Sequence, residues 1–193
     1  MAHSLSRLVP LLLSSTLLLS AAAPPMPDES RAVLTALLAD QRAGITGDVP
    51  HFCFDPELAQ PGSFGQPRQD PSVPRPEVDH IWYTMPGQNL APRPIDPAVA
   101  SRLNTLLANA PDGAPAAAGT VIDGSMMPSP FRLGPRADCR RTYTLSAPLI
   151  LDDIAFVDRD YSCGGWCGSG EIVALQRRDG RWTPIAAAAT WIA

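Results

Sequence analysis

Lysine is missing altogether: all 15 basic residues of this 193-residue chain are arginine. That absence removes every form of lysine chemistry, including the phosphate-clamping lysine of a Walker-type loop, so Gly168-Ser169-Gly170 is not a phosphate cradle. The arginines are scattered rather than grouped, which leaves neither a nucleic-acid track nor a polybasic membrane patch. No Gly-x-Ser-x-Gly elbow is present, and beyond the first few residues histidine occurs only at His51 and His80. Nucleophilic catalysis therefore gets no foothold. After Leu19 there is no further long apolar run, so no segment of the body of the chain reads as a membrane span.

The first residues have a different character. Arg7 supplies a short positive region, the mainly apolar run Leu8–Leu19 follows, and Ser20-Ala21-Ala22-Ala23 gives a small-residue tail. This is the layout of a secretory signal peptide. A run of that length spans roughly 18 Å as a helix, against a hydrocarbon core of roughly 30 Å, so it is too short to anchor the chain. Pro24 disfavours cleavage directly before it, and cleavage after Ala22 is expected, giving residues 1–22 as leader and a mature chain from Ala23. No cysteine lies near the cleavage site, so a lipid anchor is not indicated. Residues 23–193 are one domain's worth of chain. With Arg7 removed, 14 arginines face 19 Asp and Glu. The abundance of Ala, Pro, Arg and Gly suits a GC-rich bacterial genome. The mature protein is expected to be periplasmic or secreted, without stable membrane insertion or nucleic-acid partner, and to meet an envelope or extracellular partner.

Four cysteines in an exported chain read first as disulfides. The closeness of Cys163 and Cys167 favours a short bridge between them, which leaves Cys53 with Cys139. By loop entropy the short bridge is worth about 2 kcal/mol and the long one roughly 4.5 kcal/mol.

Two helices are legible. Over residues 28–43, Asp28 is a candidate cap, Glu29 suits the first turn, and Val33, Leu34, Leu37, Leu38 and Gln41 recur at helical spacing, with Gly44 as a stop. In the second, Asp96 is the N-cap, Pro97 the first helical residue, and Val99, Leu103, Leu106, Leu107 and Ala110 form the stripe before Pro111-Asp112-Gly113. Between them, residues 55–77 hold six prolines and read as an extended surface loop. A strand over Val78–Thr84 follows, carrying His80, Trp82 and Tyr83. Residues 111–138 form a second loose region with a short strand at Thr120–Asp123.

From residue 141 the pattern is strands and tight turns. Strands are expected at Arg141–Ser146, Ile154–Tyr161, Glu171–Arg178 and Arg181–Ile192. Asp179-Gly180 predicts a two-residue hairpin in which both residues take positive φ, setting Arg178 opposite Arg181 and Leu175 opposite Pro184. Pro184 then marks an edge or a bulge. The expected fold is α+β, with two helices on a mostly antiparallel sheet ending in a β-meander over 141–193.

The unusual constellation is Cys163-Gly164-Gly165-Trp166-Cys167-Gly168-Ser169-Gly170, with four glycines in eight residues. Ala155, Cys163, Gly164, Cys167, Gly168, Gly170, Leu175, Gly180, Trp182 and Trp191 resemble the C-terminal pattern of a group of uncharacterised secreted bacterial proteins: an apolar strand, a CG-x-x-CG-x-G element, a strand with Leu, a G-x-W turn and a terminal Trp. The resemblance covers about a quarter of the chain. It implies the meander and brings no activity.

Three readings of this loop compete. As a structural element it is a disulfide-locked hairpin tip. As a redox dithiol it lacks the helix N-terminus that ordinarily lowers the attacking thiol's pKa, because Ser169-Gly170-Glu171 leads into a strand. As a copper site, its cysteine spacing resembles that of copper chaperones of the thioredoxin fold, His51 adds an imidazole close to the Cys53 thiolate, and Met126 and Met127 are soft thioether donors; the proline and helix that follow the second cysteine there are absent here. A four-thiolate zinc site would need reduced cysteines in an oxidising compartment. The structural reading leads, with no cofactor and no metal. His51 is then a surface residue near a bridge, His80 a half-buried strand residue, and the two methionines core or loop filler. Asp152-Asp153 are expected to open a strand, and Asp158 and Asp160 to lie on a solvated sheet face. The leading function is a non-catalytic binding module with Phe64 and Trp166 as contact points; the alternative is a redox or copper-handling protein using Cys163 and Cys167.

Overall fold

The computed structural model describes residues 26–43, 52–61, 83–84, 93–110, 120–134, 139, 141–165 and 167–192. Residues 1–22, expected to be a leader, and His51, Phe64, His80, Trp82 and Trp166 lie outside the described residues. The elements are α1 (Asp28–Ala43), β1 (Phe52–Phe54), β2 (Tyr83–Thr84), β3 (Arg93–Pro94), α2 (Pro97–Ala108), a single 3-10 turn (Gly124–Met126), β4 (Arg132–Leu133), β5 (Arg141–Leu145), β6 (Leu149–Leu151), β7 (Ile154–Gly164), β8 (Cys167–Arg178) and β9 (Arg181–Ile192). The strands form one sheet in the order β3-β2-β9-β8-β7-β5-β1-β4, with β6 also paired to β7. Pairing is antiparallel except where β1 runs parallel to β4 and β5. The fold is α+β, and β5 to β9 form its meander.

The helices lie on opposite faces of the sheet. Val33, Leu34, Leu37 and Leu38 of α1 share a core with Ala155, Val157, Val173, Leu175 and Trp182. Leu103 and Leu107 of α2 share a second core with Ile154, Phe156, Ile172, Ala174, Ala186 and Ala188. Residues alternate between faces along a strand, so covering both faces requires uninterrupted apolar runs. Ile154–Val157 and Ile172–Leu175 are such runs, and all eight residues are buried. Each fully buried Leu, Val, Ile or Phe contributes about 1.5–3 kcal/mol. Helix α2 begins as its sequence dictates: the Asp96 carboxylate accepts from the backbone N–H of Ala98 at 2.7 Å and of Val99 at 3.4 Å. In α1, by contrast, Asp28 is already helical, and Pro27 supplies the first carbonyl to Arg31 at 3.0 Å. Asp28 and Glu29 act on the positive end of the helix from within its first turn. Val99, expected in the α2 stripe, is exposed.

The β8–β9 hairpin turns on Asp179 (φ 50°) and Gly180 (φ 74°), with Arg178 opposite Arg181 and Leu175 opposite Pro184. The next pair is Ala174 with Ala186, so Ile185 is an extra residue and Pro184 stands at a bulge. One extra residue reverses which face the rest of the strand presents. Trp182 can therefore join the α1 core while Ala186 and Ala188 join the α2 core.

The proline-rich segment is not a surface loop from its start. Over residues 55–61, the N–H groups of Asp55 and Ala59 bond to the carbonyls of Tyr143 and Leu145 at 2.9 Å, and Leu58 is buried. Leu58 also donates its N–H to the Thr120 carbonyl, and Glu57 bridges to Val121. The backbone continues the pairing begun by β1 beside β5, which satisfies its polar groups despite the prolines. Residues 62–77 lie outside the described residues.

Candidate functional site

Cys53 is bridged to Cys139 (Cα–Cα 5.8 Å) and Cys163 to Cys167 (5.3 Å). Cys53 is buried in β1, so the long bridge ties the parallel part of the sheet to the segment that enters β5. The short bridge closes the tip of the β7–β8 hairpin. Strand pairing continues to Gly164 opposite Cys167, and Cys163 sits in a register shift just before that pair. Gly164 (φ 89°) and Gly165 (φ 59°) turn the chain, in a backbone region that side-chain-bearing residues rarely adopt. The strands thus reach further toward the cysteines than their sequence suggests. Both cysteines lie on strands, not at the N-terminus of a helix, where a thiolate would be stabilised. The Tyr161 hydroxyl lies 3.6 Å from Cys167 Sγ on the α1 face.

The glycines after the bridge have a different role. The Trp191 indole lies across Gly168 and Gly170. A Cβ on Gly168 would stand 2.7 Å from the Tyr161 carbonyl oxygen and 2.9 Å from Trp191 Cη2, and one on Gly170 would run into Trp191 Nε1 and Asp160 Oδ1. Trp191 Nε1 donates to Asp160 Oδ1 at 2.8 Å. Ring packing over strand glycines replaces the missing side chains, and the carboxylate fixes the ring's rotation. A second register shift, with Gly170 opposite Trp191 but Glu171 opposite Ala189, places the indole there. Trp191 lies on the α2 face outside the core that α2 covers, and it is 43% exposed.

Asp160 continues this row across the sheet. Its cross-strand neighbour on β5 is Thr144, whose hydroxyl donates to Asp55 Oδ2 at 2.5 Å. The row reads Asp55, Thr144, Asp160, Trp191. Asp158, two residues before Asp160, corrects the expectation of a solvated pair: it is buried, and its N–H donates to Ser146 Oγ at 2.8 Å. It stands opposite Ile172 of the α2 core, a cross-strand placement that the periodicity of one strand alone does not show. Asp152 and Asp153 stand immediately before β7, at the opening of that strand as expected. They form the β6–β7 turn, with Asp152 at φ 58°. Asp153 accepts from Gln176 Nε2 at 2.9 Å and pairs with Arg102 of α2. The Gln176 hydrogen bond, with help from Arg102 and against some burial, holds its carboxyl below the ordinary 3.8.

On the opposite face Arg159 donates Nε and Nη2 to Glu171 Oε1, at 2.7 and 2.5 Å, and Nη1 to Gln41 Oε1 at 3.4 Å. Gln41, the polar member of the α1 stripe, thus meets the sheet through an arginine. Met126 is buried in the α1 core and Met127 packs against it. Among the described residues no three His, Cys, Asp or Glu side chains come together as a metal-binding group, and no helix is long and apolar enough to cross a membrane.

Of the residues singled out from sequence, the structure brings together Cys163 with Cys167 and Cys53 with Cys139; Phe64 and Trp166 lie outside the described residues. Trp191 as an exposed platform was missed. Its signal was two glycines at alternate positions of a strand next to a strand ending in tryptophan. Comparison with protein-family models, with curated proteins and with solved structures finds no match to this chain. The class that fold and site define is therefore a structural one: a disulfide-stapled α+β protein whose doubly covered sheet leaves one aromatic, acidic end in contact with solvent.

Proposed function

We propose that this protein is an exported, non-catalytic binding module of the cell envelope, with the Trp191 end of its sheet as a contact surface. The observation that carries the reading is the exposed Trp191 ring, held by Gly168, Gly170 and Asp160. An aromatic side chain fixed in advance contributes contact area at little entropic cost. Phe64 and Trp166 are further contact residues in this reading. Two disulfides are compatible with an oxidising compartment, and the signal-peptide pattern of residues 1–22 points the same way. Intact-mass measurement of the protein exported from a bacterial host should give a chain that begins at Ala23. The resemblance of the meander to secreted bacterial proteins supports the same placement.

The competing function, redox or copper chemistry at Cys163 and Cys167, is tested by redox titration of the native protein with thiol labelling, with and without Cu(I). The expected result is a bridge that resists mild reduction, and a Cys163→Ala/Cys167→Ala variant that folds with a loss of about 2 kcal/mol or less. A midpoint above about −230 mV would place the pair among catalytic dithiols and replace the binding reading with an oxidoreductase one. Stoichiometric retention of copper by the reduced protein would replace it with metal handling.

A further inference from the structure

Resting on the binding reading, we propose that the row Asp55, Thr144, Asp160 and Trp191 is a receptor for a cationic side chain, arginine or lysine, of a partner polypeptide. The indole face is the central element. Its N–H is engaged by Asp160 at 2.8 Å, so the ring offers a ligand its π face rather than a hydrogen-bond donor. An aromatic face attracts cations through its quadrupole. Donation of the N–H to a carboxylate makes the ring more electron-rich and sets a formal negative charge beside its edge. A cation over the ring meets both attractions at once.

The charge balance of the row favours the same ligand. Among the described residues, ion pairs join Arg31 to Asp123, Arg102 to Asp153, Arg159 to Glu171 and Arg177 to Glu29. None takes up Asp55 or Asp160, whose partners are the neutral Thr144 hydroxyl and the neutral indole. Both aspartates are only partly buried. A neutral ligand would leave these charges uncompensated, and an anionic one would be repelled. The protein already shows the converse geometry on its other face, where the Arg177 guanidinium lies 5.4 Å from the centroid of the Trp182 ring and pairs with Glu29. There arginine, indole and carboxylate are all supplied by one chain. At Trp191 the indole and carboxylate are present, and the partner supplies the cation.

The test uses the full exported protein, labelled with 15N, and follows the Trp191 indole N–H resonance, assigned with Trp191→Phe. The probes are an acetylated and amidated triarginine peptide, its neutral citrulline counterpart, and a neutral oligosaccharide. Saturable shifts with triarginine are expected, with about ten-fold weaker binding of the citrulline peptide. Asp160→Asn keeps an oxygen acceptor for the indole and removes the charge. It should weaken triarginine binding by about three- to ten-fold while the indole resonance stays in its folded position. Equal response to the two peptides, or no response at Trp191, overturns the proposal. A response to the oligosaccharide alone also overturns it while leaving the binding reading in place; a catalytic midpoint at Cys163–Cys167 would remove that reading instead.

Discussion

Strands β7, β8 and β9 are held at their two ends by different physics. At one end, Ile154–Val157, Ile172–Leu175 and Ala186–Ala188 lie between two helices, and apolar burial on both faces fixes them. At the other, α2 no longer covers the sheet, and the same strands carry Gly164, Gly168 and Gly170, a disulfide and one tryptophan. Glycine weakens a strand, because it supplies no side chain to pack and loses the most entropy on ordering. The indole and the short bridge offset that weakness locally. A continuous ladder of backbone hydrogen bonds therefore does not imply uniform support. The difference also explains why the exposed aromatic surface lies where it does: among the described residues, the α2 core stops short of Trp191.

The strongest way to break the contrast is to remove the burial. Phe156 is fully buried in the α2 core, and Phe156→Ala should cost about 3–5 kcal/mol. Urea unfolding should show one cooperative transition at a lower midpoint. If the Trp191 end unfolds separately and first, the two ends are more independent than one sheet allows.

A smaller effect sharpens the other side. Gly170→Ala puts a methyl where Trp191 Nε1 and Asp160 Oδ1 now lie, so the ring must leave the strand at a cost of about 1–3 kcal/mol. The Trp191 indole N–H should lose its bonded chemical shift. In a Trp191→Ala background the same substitution should cost clearly less, because the clash is gone. An equal cost in both backgrounds would mean that the ring is not what requires glycine there.

The smallest effect is electrostatic. Asp153 has its carboxyl pKa depressed in the folded protein. Its contribution is therefore present above the ordinary value of 3.8 and fades as pH falls through the lower folded value. Because the Arg102 pair is substantially exposed, the effect should stay below about 1 kcal/mol. Urea midpoints of the wild type and Asp153→Asn should converge as pH falls from about 5 toward 2. A difference that is independent of pH would remove the charge from the explanation.

Local signals, read from the sequence, determined where several elements begin and turn. The Asp96-Pro97 start of α2, the apolar spacing of α1 and the positive-φ pair Asp179-Gly180 each depend on a few adjacent residues, and each stands where the sequence places it. Even the hairpin register follows from the turn as far as Leu175 and Pro184. Tertiary structure alone decided the rest. Apolar periodicity marks a buried face without naming what covers it, so placement of the helices on opposite faces came only with packing. Asp158 is buried where its N–H meets the Ser146 hydroxyl, and the ordering of residues 55–61 came from pairing with a strand some 90 residues on. The Trp191 platform needed two strands in register and a bulge that turns one indole onto two glycines, a meeting that no local stretch of sequence encodes.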